Sequence, residues 1–205
     1  ENTVNQCFPE YKRICLIKTS TSSGENFLGG YRSGLEKNPD VEQFTVIYQI
    51  SDMPALFGEQ EIAANAFSVD STFFKIFPYR VIAGSGRIVR PRDVVITRSF
   101  WKKKLGGKNA IGATFKNTKG NKFTIIGVVD DPDTKTSWMP DIFMSDELDE
   151  FLFFDPIYAM LMAPDTDIAL LNKKYSKEHP RSKWSTYETV RYQYLPLKDL
   201  YYDKD

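Results

Sequence analysis

The fold is decided by the stretch Lys12-Arg13-Ile14-Cys15-Leu16-Ile17-Lys18 near the start of the chain. Its four central residues are all apolar, which is typical of a strand that is covered on both faces of a sheet. After a capping box formed by Ser22 and Glu25, apolar residues recur at helical spacing over residues 27–35 and predict a helix. Alternation over residues 44–50 predicts a second strand. The beginning of the chain therefore predicts the order strand, helix, strand.

The end of the chain repeats this pattern. Residues 157–163 form an apolar run, and residues 186–195 are rich in the β-branched and aromatic residues that favour strands. Between them, apolar residues at helical spacing over residues 168–175 predict a helix that is capped by Asp165 or Thr166. Two β-α-β units at opposite ends of a chain can share one sheet in the split ferredoxin-like arrangement. Their right-handed crossovers put both helices on one face of that sheet.

The middle of the chain carries shorter elements. A strand is predicted over residues 60–70, and a short helix that carries three phenylalanines follows, capped by Asp70 or Ser71. A second short strand is predicted over residues 94–96, and Thr97 is the expected cap of the helix after it. The middle therefore alternates strands and helices without repeating the pattern of the two ends.

A β-hairpin is predicted further along, because two apolar strands flank the turn sequence Lys119-Gly120-Asn121. Together these patterns predict an α+β protein built from two units. Residues 1–50 plus 151–205 form the split β-α-β unit. Residues 51–150 form a second small α+β unit that is inserted into the first.

The composition excludes several classes of protein. The chain has 205 residues, of which 41% are hydrophobic and 26% charged, so it is neither disordered nor collagen-like. Twenty-seven basic residues balance 27 acidic ones, which removes the general electrostatic argument for nucleic-acid binding. No apolar run approaches the roughly 18 residues of a membrane helix. The chain begins at Glu1 and its first methionine is Met53, so we expect a processed protein or an excised piece of one.

No motif in the sequence predicts catalysis or cofactor binding. The single histidine, His179, lies in a charged helix end without a nucleophile pattern around it. The glycines of Gly84-Ser85-Gly86 and Gly106-Gly107-Lys108 lack the spacing of dinucleotide and phosphate loops. The acidic run Asp130-Asp131-Pro132-Asp133 fits a turn better than a calcium loop, since the later ligand positions are wrong. We therefore predict no catalytic residue, no cofactor site and no metal site.

The charges are unevenly distributed along the chain. Residues 71–122 contain thirteen basic residues and one acidic residue, Asp93, whereas residues 130–167 contain eleven acidic residues and one basic residue, Lys135. One interpretation is that the basic segment forms a patch that binds anionic lipid headgroups or an acidic partner, with the acidic patch beside it. The other is that the two segments lie together and largely neutralise each other. Neutralisation is the favoured interpretation. Few aromatic residues are left for base stacking, which disfavours nucleic acid further.

The segment Ser51–Gly58 joins the two predicted units and is apolar for a linker. We expect it to pack against the protein. The alternative is that Met53, Leu56 and Phe57 form an exposed patch that contacts a partner, because exposed apolar patches of this kind mark interaction sites.

An ordered series of short motifs resembles a known family, the MacB-like periplasmic core domain of FtsX-type ABC transporter permeases. Each motif is short, but the order and spacing together are specific, and the resemblance covers nearly the whole chain. The motifs are Val69–Phe77, Asp93–Thr97, Ala110–Phe115, Phe123–Asp131 and Leu195–Tyr201.

The resemblance implies a porter-like unit with a sabre-like insertion, at the periplasmic face of the bacterial inner membrane. It implies a domain without enzymatic activity or cofactors that transmits conformational change between membrane helices and periplasmic partners or substrate. The implied partners are the protein's own membrane helices, an ABC ATPase outside this chain, a second permease copy or homologue, and a periplasmic protein, but no nucleic acid. The alternative is a free-standing periplasmic module that binds a ligand or peptide. A hydrolase that uses acidic residues is the third choice.

Two structural expectations follow. Cys7 and Cys15 should not form a disulfide with each other, because Cys15 lies in the middle of an apolar strand. If both chain ends continue into membrane helices, the first strand, Lys12–Lys18, should lie antiparallel beside the last, Thr189–Leu195.

Overall fold

Twelve strands join one mixed sheet in the computed structural model, which describes residues 4–24, 26–29, 35–136, 138–145, 156–175, 179–180 and 189–200. The strands are β1 (Ile14–Thr21), β2 (Asn26–Leu28), β3 (Val41–Phe57), β4 (Gln60–Val69), β5 (Val81–Gly84), β6 (Asp93–Thr97), β7 (Thr114–Lys116), β8 (Lys122–Val129), β9 (Ile142–Ser145), β10 (Ile157–Met162), β11 (His179–Pro180) and β12 (Thr189–Pro196). The α-helices described are α1 (Phe73–Ile76), α2 (Arg98–Lys104) and α3 (Ile168–Tyr175), and Leu35–Lys37 form a 3-10 turn.

The first strand lies between the last strand and β10, as the order β12-β1-β10-β3 shows. All three of these pairings are antiparallel. Leu16 of β1 pairs with Leu195 on one side and with Ala159 on the other. All six residues of β10 are buried, as are Ile14–Ile17. The expected pairing of the first and last strands and the expected double-sided burial are therefore both confirmed.

The remaining strands close into a ring. The sheet continues through β3-β4-β9-β6-β8, and β7 pairs with both β8 and β3, so six strands return to their starting point. The closing contact is the single pair Leu56 and Lys116. A closed ring has no free edge along its circumference, which protects it against pairing with other chains. β5 lies outside the ring, along the second half of β8.

Among the described residues, three groups of buried side chains hold these parts together. The first and third groups cover opposite faces of the sheet near the chain ends, since Leu16 belongs to the first group and Ile17 to the third. The second group fills the ring, and its members include Phe115, Phe123 and Phe100 of α2. The chain-end sheet is thus buried on two faces, and the ring is buried on its inside and, along β6 and β9, on its outside as well, where Val95 and Phe143 belong to the first group.

The predicted helix over residues 27–35 is wrong at its start. Asn26–Leu28 form β2, which pairs with β1, and Leu35–Lys37 form a 3-10 turn, while residues 30–34 lie outside the described part of the chain. Gly29 explains the departure, since its φ is 114° and a Cβ atom there would collide with the Pro156 carbonyl oxygen. Close approach of two backbones needs glycine, and this tertiary contact overrides helical spacing.

The segment at residues 51–58, which we expect to pack against the protein, continues the strand that precedes it. Most of this segment lies within β3, which runs on to Phe57 and pairs with β4 in a long hairpin. The pairing shifts register between Ile50 and Met53, and Asp52 has a φ of 50°. A bulge of this kind bends a strand without ending it.

Several local expectations are confirmed. The Asp70 carboxylate accepts hydrogen bonds from the Thr72 and Phe73 amides at the start of α1, and the Thr97 hydroxyl accepts one from the Phe100 amide. The cap predicted for α3 is wrong, because Asp167, rather than Asp165 or Thr166, accepts from the Leu170 amide. The hairpin of β7 and β8 forms as expected, while β5 and β9 are short strands that the sequence patterns missed.

Candidate functional site

The acidic run after β8 has a structural role. The Asp130 carboxylate, with its side chain 9% exposed, forms ion pairs with Arg80 and with Arg98, whose Nε lies 2.9 Å away. Asp131 accepts from the Ser99 amide at 3.1 Å and from the Ser99 hydroxyl at 2.7 Å. These bonds tie the end of β8 to the start of α2, which explains the acidic residues without a bound ion.

Within the described ranges, no group of three or more His, Cys, Asp or Glu residues is placed to hold a metal ion. The side chain of His179 lies outside the described side chains. Gly84 ends β5, and the Ser85 amide bonds to the Ile126 carbonyl, so this glycine pair shapes a strand end. The candidate functional features are therefore surfaces and junctions of the fold.

The first feature is where the two chain ends meet. Asn5 is fully buried with a φ of 65°, and its amide donates to the Lys135 carbonyl at 2.8 Å. Its side-chain Nδ2 donates to the Leu197 carbonyl at 3.4 Å, and its Oδ1 accepts from the Thr136 hydroxyl at 2.8 Å. The Leu197 amide in turn donates to the Ile14 carbonyl at 2.8 Å. We call these five residues the chain-end junction.

An aromatic cluster supports the chain-end junction. Phe8, which is buried, packs edge-on against Phe77 with ring centroids 5.0 Å apart, and against Tyr79 at 5.6 Å. Phe77 stacks on Trp138 at 5.7 Å, and the Tyr79 hydroxyl donates to the Trp138 carbonyl. Burial raises the pKa of Tyr79 well above its usual value of 10.0. The cluster links the N-terminal segment to the loop after β8, so the junction rests on rigid packing.

The second feature is a groove at the end of the β3–β4 hairpin, which we call the tip groove. Its volume is about 410 Å³. Phe57 forms one wall, where it packs against Phe115 at 5.2 Å and Phe100 at 6.5 Å between ring centroids. The groove combines apolar and basic side chains, and its lining residues are Phe57, Gln60, Lys104, Leu105, Gly106, Lys108, Asn109, Ala110 and Ala113.

The tip groove lies far from the chain-end junction along β3. Gln43 of β3 pairs with Leu161 of β10, which pairs with Ile14 of β1, so these three residues share one level of the sheet. Phe57 ends the same strand. A strand rises ~3.3 Å per residue, so roughly 40–45 Å of β3 separates this level from the groove.

The structure separates the three residues expected to contact a partner. Met53 is 9% exposed and belongs to the interior of the ring. Leu56 is half-buried between its neighbours Glu61 and Lys116. Phe57 is half-buried and lines the tip groove. The expectation that this segment packs against the protein is confirmed for Met53. Contact of a partner with Leu56 or Phe57 stays a prediction.

The two charged segments meet only in part. Arg80 and Arg98 of the basic segment bind Asp130 of the acidic one, and Arg90 binds Asp93. The lysines of the basic segment on α2, its following loop and the β7–β8 hairpin behave differently, because they are exposed and have no ion pair among the described residues. They are Lys102, Lys103, Lys104, Lys108, Lys116, Lys119 and Lys122. The sequence patterns do not show that Arg80, Arg90 and Arg98 form ion pairs while these lysines stay exposed.

Both cysteines are free, as expected. Cys15 is buried in β1, and burial raises the pKa of its thiol from 9.0 to about 12. Cys7 is partly buried, and burial raises its pKa as well. No helix in the described ranges has the length and apolar character that a membrane span requires.

Comparisons with known proteins agree with these observations. The sequence model of one family, described as the MacB-like periplasmic core domain, matches residues 5–174. A comparison with curated proteins finds no match.

Three solved structures share the fold. A domain of a permease protein from Porphyromonas gingivalis superimposes with a TM-score of 0.72 at 19% identity, covering 92% of each chain. The periplasmic region of MacB from Actinobacillus actinomycetemcomitans has a TM-score of 0.64 at 15% identity, covering 86% of this chain and 85% of that one. The extracellular domain of the noncanonic ABC-type transporter YknZ from Gram-positive bacteria has a TM-score of 0.58 at 13% identity, covering 88% and 99%.

Proposed function

Because this chain belongs to the family of MacB-like periplasmic core domains, we propose that it transmits conformational change between the membrane helices of an ABC transporter permease and periplasmic partners or substrate. The family consists of the periplasmic domains of transporter permeases and is not a family of enzymes. In this role the domain transmits movement and catalyses no reaction. Its own residues carry motion, and ATP is hydrolysed by an ATPase outside this chain.

The observation that carries the proposal is the meeting of the two chain ends. Ile14 and Leu197 are joined by a backbone hydrogen bond, and Asn5 bonds to Leu197 through its side chain. Two membrane helices attached to these ends would leave the domain side by side. A relative movement of the helices would then act directly on adjacent antiparallel strands.

We further propose that the sheet is divided into the two units expected from the sequence. The order β12-β1-β10-β3, with all neighbours antiparallel, supports a ferredoxin-like, porter-type unit for residues 1–50 plus 151–205. Residues 51–150, which contribute most of the ring, are the inserted unit. β3 belongs to both and connects them as one continuous strand. A single strand shared by two units carries displacement better than a flexible linker, since its backbone pairs with β10 over residues 41–47 and with β4 over residues 47–57.

We also propose a location and an assembly for the domain. It lies at the periplasmic face of the inner membrane, and the ring points away from the membrane toward a periplasmic partner. The working transporter contains two permease domains, either identical or homologous, and an ABC ATPase. The sequence that flanks this chain in its gene tests the first part, because the absence of apolar helices on both sides would favour a free-standing binding module.

Transmission itself is tested in the complete permease with its ATPase. A spin label at Glu59, in the β3–β4 turn, and a second label on a membrane helix report their distance by pulsed electron paramagnetic resonance. We expect the distance distribution to differ between the ATP-bound and nucleotide-free states. An unchanged distribution in a transporter that hydrolyses ATP would overturn the proposal.

Flexible insertions provide the control for this experiment. Six-residue Gly-Ser insertions between each chain end and its membrane helix should abolish the nucleotide-dependent change, because a flexible linker does not carry displacement. The same insertion in the β7–β8 turn at Gly120 should leave the change intact. A nucleotide response that survives the chain-end insertions would contradict transmission through the chain-end junction.

A further inference from the structure

The tip groove is built by a reversal of the chain after α2. Gly106 and Gly107 both have left-handed backbones, with φ of 66° and 68°, and turn the chain back along the helix. The Gly107 amide donates to the Trp101 carbonyl at 3.0 Å, and the Trp101 Nε1 donates to the Lys108 carbonyl at 2.5 Å. Lys108 is therefore held on the rim by bonds to α2. The groove is formed before any partner arrives, which lowers the entropy cost of binding.

The apolar part of the groove is fixed by packing. Phe57 contacts the two aromatic rings that cap the interior of the ring, and Ala110 is buried beneath the rim. The Ala113 amide donates to the Ala110 carbonyl at 3.0 Å, which closes the floor as a tight turn. The space of about 410 Å³ accepts side chains of one short peptide segment.

The rim of the groove is basic. Lys104 ends α2 and Lys108 follows the glycine reversal, and both are exposed without an ion pair among the described residues. Lys102 and Lys103 lie beside them on the same helix. Glu59 and Glu61 of the β3–β4 hairpin flank Gln60, which also lines the groove. Positive charge therefore dominates the side of the groove formed by α2 and its loop.

We propose that the tip groove binds an acidic segment of a partner protein. An apolar side chain of that segment packs on Phe57 between the walls, and its carboxylates bind Lys104 and Lys108. Charge complementarity selects the acidic partner, and the concave shape selects a peptide segment over the flat surface of a lipid bilayer. The inference deepens the proposed function, on which it rests for the partner's periplasmic location, because it names the chemistry of the partner at the end of the domain remote from the membrane.

Binding is tested on the 205-residue chain alone, without membrane or ATP. The probe is a fluorescein-labelled peptide with one leucine between two runs of glutamate. Its binding to the chain is measured by fluorescence anisotropy. We expect the double variant Lys104→Glu/Lys108→Glu to weaken binding by about tenfold or more, since each lost contact is charge-assisted. The matched control, Lys119→Glu/Lys122→Glu, makes the same change in net charge on the β7–β8 hairpin and should weaken binding by less than about threefold.

The apolar contact has its own control. A peptide with serine in place of the leucine should bind more weakly to the unchanged chain, by about fivefold or more, because it removes the apolar side chain from the groove. Circular dichroism checks that each variant is folded. These exposed lysines make no described ion pair, so we expect each variant to fold, with a small loss of stability at Lys104, whose positive charge favours the last turn of α2.

Three results would overturn the inference. The first is equal weakening of peptide binding by the two double variants, which indicates attraction to net charge alone. The second is the absence of peptide binding up to about 1 mM. The third is binding of phosphatidylglycerol vesicles that depends on Lys104 and Lys108 when peptide binding does not. The outcome is independent of the transmission experiment. A chain that fails to bind the peptide can still respond to ATP in the transporter, and the reverse also holds.

Discussion

The two halves of β3 lie in different surroundings. In its first half Thr45, Val46 and Ile47 are consecutive buried residues, since the sheet is covered on both faces there. In its second half only alternate residues, Met53 and Ala55, are buried, and they face the interior of the ring. The chain-end half is held by packing on both faces and by the Asp70 carboxylate, which accepts from the Thr45 hydroxyl and the Val46 amide. The tip half is held from inside, which leaves its outer surface available for charged residues and the tip groove.

The sharpest test of this comparison is whether the halves unfold together. Phe123→Ala removes a ring that stacks on Phe115 inside the ring of strands, and Met160→Ala removes a fully buried side chain of β10 near the chain ends. We expect Phe123→Ala to lower the free energy of unfolding by about 3–5 kcal/mol and Met160→Ala to lower it by about 2–4 kcal/mol. Because β3 belongs to both regions, we expect one cooperative transition in each variant.

Urea denaturation of two single-tryptophan chains measures this. One chain retains Trp101 beside the tip groove and the other retains Trp138 beside the chain-end junction. The two fluorescence transitions should coincide in the parent and in both variants. Val89→Ala, at a residue that is 76% exposed, is the control and should change stability by less than about 0.5 kcal/mol. Separate midpoints for the two tryptophans would mean that the regions unfold independently.

The next largest effect concerns the chain-end junction. Asn5→Ala removes two side-chain hydrogen bonds from a fully buried site and puts a Cβ-bearing residue without a polar group at a φ of 65°. We expect a loss of about 2–4 kcal/mol in the free energy of unfolding. Asn5→Gly loses the same bonds but tolerates the backbone, so it should be about 1 kcal/mol more stable than Asn5→Ala. Equal stability of the parent and both variants would show that the junction does not hold the chain ends.

A smaller effect is expected at the bridge between β8 and α2. Asp130→Asn keeps an oxygen acceptor but removes the charge that binds Arg80 and Arg98. Since Arg80 is largely exposed, solvent weakens its pair, and we expect a loss of only about 1–2 kcal/mol. Chemical denaturation in urea at low and high sodium chloride measures it. The difference from the parent should shrink at high salt, and a salt-independent difference would indicate a packing defect instead.

The last prediction concerns the Cys15 thiol, whose effect on the free energy of unfolding is smallest at neutral pH and appears in alkaline solution. The Cys15 thiol stays protonated in the folded chain up to a pKa of about 12, whereas the unfolded thiol titrates near 9.0. Below pH 9 both states hold the proton, so the thiol adds no pH dependence there. Between pH 9 and 12 the unfolded state loses its proton first, so stability falls as pH rises, by up to about 1.4 kcal/mol per unit for this group.

Cys15→Ala should remove that slope between pH 9 and 12, although it lowers stability at every pH through the lost side chain. Urea denaturation at a series of pH values gives the two slopes. Tyr79, with a pKa that burial raises, contributes in the same direction in both proteins and therefore cancels in the difference. Parallel curves for the parent and the variant would contradict a raised pKa for Cys15.

The local elements were predictable because their signals lie within a few residues. The unbroken apolar centres of β1 and β10 indicate strands that are buried on two faces, and both are. Asp70 and Thr97 cap helices because their side-chain oxygens reach the first free amides, which depends only on the neighbouring backbone. The turn at Gly120 likewise determines the hairpin of β7 and β8.

The candidate sites were less predictable from the sequence. The partner contact expected at Met53, Leu56 and Phe57 came from apolar character alone, which does not distinguish an inward from an outward side chain in a strand. The register of β3 against β4 turns Met53 and Phe57 to the same face, toward the second group of buried side chains, and the end of the strand at Phe57 leaves that residue at the groove. The sequence shows an excess of basic residues over 71–122, but only the tertiary structure shows that Arg80 and Arg98 reach Asp130 while the lysines of α2 and the β7–β8 hairpin stay exposed.

The sequence by itself therefore determined the α+β class, the caps of α1 and α2, the hairpin of β7 and β8, and the pairing of the first strand with the last. Tertiary structure decided the features that join distant residues. Asn5 bonds to Thr136 and Leu197, which are 131 and 192 residues away, and the ring closes through Leu56 and Lys116. Gly29 turns its segment into a strand because Pro156 lies against it. The physical reason is that caps, turns and buried faces depend on neighbouring residues, whereas these contacts form only after the sheet brings remote segments together.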